Sequence, residues 1–172
     1  MATPREVITA DMIAAGVARV GKQISAAYAG KNVVLVGMLK GATVFLADLL
    51  RATSGNLRFE LVHVDQRPGE RGAVIELTYA TKINLGGVHA LILKDVCHSG
   101  VTENYVRTHL AEQGPASLEV VALVDRPLQR RVALEPKYVV FSDVPDGRLV
   151  GYGMEYQGQW GNLSGLNVLD DV

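Results

Sequence analysis

Cysteine is all but missing from this chain of 172 residues. Cys97 stands alone, so no intramolecular disulfide can form and no thiolate zinc site can be assembled from cysteine. Surplus charge is missing too: 17 basic and 18 acidic side chains leave a net charge of −1. That balance gives no general attraction to nucleic acid or to an anionic membrane. No apolar run reaches the roughly 18 residues of a membrane span. The opening residues carry Arg5 and Glu6 and lack the apolar core of a secretory signal. Internal repeats and low-complexity tracts are absent. What remains is ordinary globular composition, 48% hydrophobic and 20% charged, which argues against disorder. The length suits one domain over residues 1–172, and a chain this size buries roughly 68–70% of its unfolded surface without staples. A soluble, cytoplasmic domain is expected.

Apolar residues Met12, Ile13, Val17, Val20 and Ile24 recur at helical spacing, which predicts a helix from Thr9, its N-cap, to Tyr28, with Gly30 as the stop. Val33-Val34-Leu35-Val36 is short, continuously apolar and β-branched, as in a strand covered on both faces. The pattern then predicts a helix over 43–52, strands at 58–64 and 90–93, a helix over 101–113 ended by Gly114-Pro115, and strands at 120–124 and 138–141. Strands alternating with helices give an α/β fold with a central, mostly parallel sheet. Asp65 to Gly87 is a long insert, either a lid over a site or a mobile surface loop, whose middle, Ile75 to Tyr79, alternates and can form a hairpin strand. The tail from Val150 is rich in glycine and aromatics and is expected to cap the sheet edge.

In open parallel sheets, ligands bind beyond the carboxyl ends of the strands. Two loops leave strands there. In Gly37-Met38-Leu39-Lys40-Gly41, glycines flank a lysine, so backbone amides and one point charge can meet an anion. In Lys94-Asp95-Val96-Cys97-His98-Ser99-Gly100-Val101-Thr102, small and hydroxyl-bearing residues open a helix whose first amides are free, a cradle for a phosphate monoester. Asp95, at the strand end, can accept from vicinal sugar hydroxyls. Ser99 and Thr102 could equally serve only as helix caps. Arg126, Arg130, Arg131 and Lys137 form a small basic segment, but Tyr138 is the only aromatic near it, so nucleic acid is not the expected partner. Cys97, His63, His89 and His109 read as packing or solvated residues.

Leu91 to Thr102 resembles the phosphoribosyl-pyrophosphate (PRPP) motif of the type I phosphoribosyltransferases. Val36 to Ala42 with Phe45 to Leu50, Leu123 to Pro127 with Arg130-Arg131, and Val144 to Asp146 with Leu149 to Gly153 resemble the hypoxanthine(-guanine) branch of that family, over about Arg5 to Leu169. The resemblance implies that fold, with a small hood made from about 1–30 and 150–172 and a flexible lid at about 65–87. It implies transfer of ribose 5-phosphate from PRPP to a hypoxanthine- or guanine-like base, with release of pyrophosphate, in purine salvage. It implies Mg²⁺ as cofactor and a homodimer or homotetramer. Leu39, Lys40 and Gly41, often across a non-proline cis bond, would bind pyrophosphate. Asp95 would hold the ribose hydroxyls, and Ser99, Gly100, Val101 and Thr102 the 5′-phosphate. Arg126, Arg148 and Leu149 would meet the base, and Glu155 and Asp95 are the candidate metal ligands.

The chain departs from the pattern at chemical positions. Lys94-Asp95 replaces two acids, which weakens the case for Mg²⁺. His98 replaces the acid that serves as base, Arg148 the stacking aromatic, Gly161 an arginine, and Glu155 is one methylene longer than its counterpart. The substitutions admit three readings: a working enzyme with altered parts and His98 as the catalytic base, a transferase redirected to another acceptor, or a non-catalytic homologue that binds PRPP or a nucleotide as a sensor.

Overall fold

The computed structural model describes residues 3–69, 72–79 and 83–170. In chain order the elements are β1 (Arg5–Ile8), α1 (Ala10–Ala27), β2 (Asn32–Leu39), α2 (Thr43–Ala52), β3 (Asn56–Gly69), β4 (Gly72–Tyr79), β5 (His89–Cys97), α3 (Val101–Ala111), β6 (Ser117–Asp125), a 3₁₀ turn (Pro127–Gln129), β7 (Tyr138–Phe141), β8 (Arg148–Val150) and β9 (Leu166–Leu169).

The six-stranded sheet runs β4-β3-β2-β5-β6-β7, with every neighbouring pair parallel except β3 and β4. The apolar strands are central because both their faces are covered. Leu35, Leu91, Leu93 and Leu123 point to the side that holds Phe45 and Leu49 of α2 and Val17 and Ile24 of α1, whereas Val34, Val36, Ile92 and Ala122 face Val106 and Leu110 of α3. Alternate residues thus feed two cores, which is why these strands read as continuous hydrophobic runs. Helix α1 is capped as its sequence requires: Thr9 Oγ1 accepts from Met12 N at 3.3 Å, and Gly30 beyond its end has φ +72°.

Two regions differ from the pattern read in sequence. β3 does not stop at Val64 but continues through Gly69, because β4 pairs with it antiparallel, Asp65 opposite Glu76 and Val64 opposite Leu77. The segment read as a lid is therefore largely a two-stranded extension at the sheet edge; residues 70–71 and 80–82 of it lie outside the described residues. Helix α3 ends at Ala111, short of Gln113.

The glycine-rich tail joins the start of the chain in a second, three-stranded sheet of order β1-β9-β8. Ile8, Leu149, Leu166 and Val168 of this sheet belong to the same core as α1 and α2, so it sits over the carboxyl edge of the large sheet as a second layer. Helix α1, grouped with the tail in the sequence reading, packs against α2 and β7.

Candidate active site

The carboxyl ends of β2, β5 and β6 release the loops that build the site. At the end of β2 the Leu39–Lys40 peptide bond is cis. Lys40 O accepts from Thr43 N at 3.0 Å and from Thr43 Oγ1 at 2.6 Å, which fastens the loop to the start of α2. Gly41 then passes so close to Asp95 of β5 that a β-carbon there would overlap Asp95 Oδ2 and lie 2.6 Å from its Cγ. Only glycine allows the loop and the strand end to meet in this way.

At the end of β5, Gly100 takes φ +75° and opens α3. A β-carbon on it would also press on Arg130 Cδ at 3.0 Å and Val132 Cγ2 at 3.1 Å. The loop after β6 is stitched to this turn. Arg126 N donates to Cys97 O and Arg131 N to Ser99 O, both at 2.9 Å. Arg130 donates to His98 O at 2.9 Å and to Cys97 Sγ at 2.7 Å, and pairs with the carboxylate of Asp125. Ser99 Oγ accepts from Val101 N at 3.4 Å, so the serine already braces the first turn of its own helix. Gly100 is buried, Thr102 half-buried and Val101 exposed.

Between these loops and β8 lies a cleft of about 410 Å³. Of the residues singled out in sequence, Lys40, Gly41, Asp95, His98, Arg148, Leu149 and Glu155 line it. Ser99 opens with His98 on an adjoining hollow walled by Leu128, Gln129, Arg130 and Arg131. Arg126 does not line the cleft: its terminal nitrogens donate to Gly147 O at 3.0 Å and Pro145 O at 2.8 Å, which holds the segment leading into β8. Arg148 lies over the ring of Tyr156, 5.4 Å from its centroid, as a cation–π pair.

The carboxylates of the cleft are matched with lysines. Lys94 Nζ is 2.6 Å from Asp95 Oδ1 and 3.9 Å from Glu103 Oε1, a side chain only 4% exposed. Lys40 Nζ is 3.1 Å from Glu155 Oε2. Gly161, where the family places an arginine, leaves room for that glutamate, since a β-carbon there would sit 2.8 Å from Glu155 Cγ.

These surroundings set the proton affinities. Burial, with the positive charges of Arg126, Lys94 and Arg148, depresses the His98 pKa and outweighs the pull of Asp95, so its imidazole is neutral and able to accept a proton at neutral pH. Burial works against the charge of Lys94, yet Asp95 and Glu103 outweigh it and the lysine pKa rises. Burial raises the Glu103 pKa despite Lys94. Burial, followed by Glu103, pushes the Cys97 thiol up to about 11, which makes it packing rather than a nucleophile.

His63, read from the sequence as a packing or solvated residue, also lines the cleft. Its ring lies 3.2 Å from Asp65 Oδ1 on the cleft wall. The signal that would have found it is register: β2 and β3 pair so that His63 falls opposite Leu39, beside the cis bond.

The phosphoribosyl transferase domain family matches residues 6–157 of the chain. The hypoxanthine-guanine phosphoribosyltransferase of Streptococcus pneumoniae is 30% identical over 166 residues, covering 95% of this chain and 92% of its own. That of Mycobacterium avium is 32% identical over 171 residues, covering 95% and 84%. Among solved structures, a hypoxanthine-guanine phosphoribosyltransferase of Bacillus anthracis superposes with a TM-score of 0.89 at 25% identity, covering 98% of this chain and 99% of its own. The hypoxanthine phosphoribosyltransferase of Trypanosoma cruzi, in a variant complexed with its product IMP, gives 0.88 at 28% identity, covering 99% and 91%. With its parallel sheet, cis-peptide loop and glycine-opened helix, the chain belongs to the phosphoribosyltransferase domain family.

Proposed function

We propose that this protein transfers ribose 5-phosphate from PRPP to a hypoxanthine- or guanine-like base and releases pyrophosphate, a purine-salvage reaction. The observation that carries the reading is the meeting of Lys40-Gly41, Asp95 and His98, from separate strand ends, around one cleft roofed by β8. Its relatives at about 30% identity over most of their length carry the corresponding enzyme name.

In this reading the Lys40-Gly41 loop receives the leaving pyrophosphate, Asp95 the ribose hydroxyls, and the turn from Ser99 to Thr102, at the N-terminus of α3, the 5′-phosphate. The C1–oxygen bond to pyrophosphate breaks as a ring nitrogen of the base bonds to C1, and the base must give up a proton. His98, neutral and on the cleft wall, is the group to take it. Arg148, beside Tyr156, can lay its guanidinium plane on the purine, and backbone groups of Leu149 face the base edge. Arg126 acts at one remove, by fixing the 145–147 segment. The β3–β4 hairpin and the terminal sheet would shield the reacting sugar from water, which would otherwise capture it. By the same resemblance the protein works in the cytoplasm as a homodimer or homotetramer; among the described residues no helix is long and apolar enough to cross a membrane.

The residues present do not fit a magnesium ion held by the protein. Asp95 and Glu155 are each ion-paired with a lysine. Among the described residues no group of three or more His, Cys, Asp or Glu side chains converges on a metal position.

The test is release of pyrophosphate from PRPP with hypoxanthine, guanine, xanthine and adenine in turn. Turnover with a 6-oxopurine supports the proposal. PRPP binding without turnover on any base would overturn it in favour of a sensor.

A further inference from the structure

The lysine beside Asp95 is built into the site rather than draped over it. Lys94 lies on β5, between the Lys40-Gly41 loop and the turn at Gly100, and its side chain is only 23% exposed. One carboxylate, Asp95, faces it at 2.6 Å on the cleft side, and a second, Glu103 in the first turn of α3, backs it at 3.9 Å. A buried carboxylate behind a lysine keeps that lysine charged and in place; the Lys94 pKa is raised in spite of burial. The other Asp95 oxygen is wedged against Gly41. A divalent cation could reach this carboxylate only by driving the ammonium away, because two cations at that distance repel. The basic side chains of the cleft outnumber its carboxylates, as suits a polyanionic ligand.

We propose that Lys94 is itself the cation of the ribose end of the site: its ammonium contacts anionic oxygens of the PRPP donor beside Asp95, so that donor binding is largely independent of magnesium. This deepens the transferase reading and rests on it. An ammonium offers three donors in a compact point charge. Asp95 Oδ1 is ion-paired with it at 2.6 Å without a hydrogen bond, and Glu103 balances the charge from 3.9 Å, beyond hydrogen-bond range, leaving donors for the ligand.

The experiment is calorimetric titration of PRPP into the intact protein, with Mg²⁺ and with EDTA. The wild type is expected to bind with dissociation constants within about threefold of each other in the two buffers. Lys94→Met should weaken binding in EDTA by about ten- to a hundredfold, the loss of one charge-assisted hydrogen bond. Lys94→Arg should keep magnesium-independent binding, whereas Lys94→Glu should bind only when Mg²⁺ is present. Because Lys94→Met strands Glu103, the double variant Lys94→Met/Glu103→Gln is run beside it, with thermal unfolding as the check of the fold. Binding by the wild type that disappears in EDTA, or a double variant that binds in EDTA as the wild type does, overturns the role of Lys94 and leaves the transferase reading standing. No PRPP binding in either buffer removes both.

Discussion

Gly41 and Asp95 meet side by side at the mouth of the cleft, with no space between them for a single methyl group. The Lys40-Gly41 loop after β2 and the carboxyl end of β5 therefore form one unit, and a change in either is felt by the other. Gly41→Ala must push the Asp95 carboxylate aside and disturb its pair with Lys94. The expected outcome is a loss of about 1–3 kcal/mol in stability, the usual result of overpacking, read by urea unfolding. PRPP affinity should fall about tenfold or more in the same protein. Unaltered affinity would separate Asp95 from donor binding.

His98 gives a pH signature. Its pKa lies below the ordinary 6.5, so the proton-accepting form persists to lower pH than for a free imidazole. The acid limb of the kcat/KM profile should therefore have its midpoint below 6.5. His98→Ala should abolish that limb and lower kcat by about 10²–10⁴, with little change in KM. A limb that survives in the alanine variant assigns the proton to another group.

Arg130 and Asp125 form a buried pair, their side chains 14% and 11% exposed, and Arg130 also donates to His98 O. Arg130→Met leaves Asp125 buried without its cation. We expect a destabilisation of about 3–5 kcal/mol. The double variant Arg130→Met/Asp125→Asn should recover much of it, measured by chemical denaturation. A double variant as unstable as the single one would show that the contacts to His98 and Cys97 matter more than the charge.

Glu103 predicts the opposite pH trend to that of a paired surface carboxylate. Its folded pKa is raised above the ordinary 4.5, chiefly by burial. The stability this group contributes is fully present below 4.5 and is lost as pH rises through the folded value. Against a Glu103→Gln variant, the wild type should thus lose relative stability as pH rises, and the difference in Tm should then level off. A wild type that instead loses stability relative to the variant as pH falls would mean that Lys94 outweighs the burial of Glu103.

The central strands were legible because each is covered on both faces, which writes an uninterrupted apolar run such as Leu91-Ile92-Leu93 into the chain. The loops at Lys40 and Ser99 were legible because glycine and hydroxyl residues mark tight turns into helices. The far half of β3 was not, since Asp65 to Gly69 is polar and holds Pro68; its strand character comes from pairing with β4. The sheet of β1, β8 and β9 was hidden for the same reason: its strands are short, and their partners lie far away in sequence. Within the site, the residue types were readable but their pairings were not. The backing of Lys94 by Glu103 depends on which face of α3 turns inward, and the diversion of Arg126 to backbone carbonyls depends on how β8 is docked.

Cys97 lies fully buried directly behind the turn that opens α3, its sulfur held by Arg130 and its thiol pKa pushed up to about 11. Being the sole thiol of the chain, it is a ready-made clock for that turn. A disulfide reagent can reach it only when the stitching around Gly100 lets go, so the rate of modification counts those openings. A ligand that grips the turn should slow the count, with no residue changed.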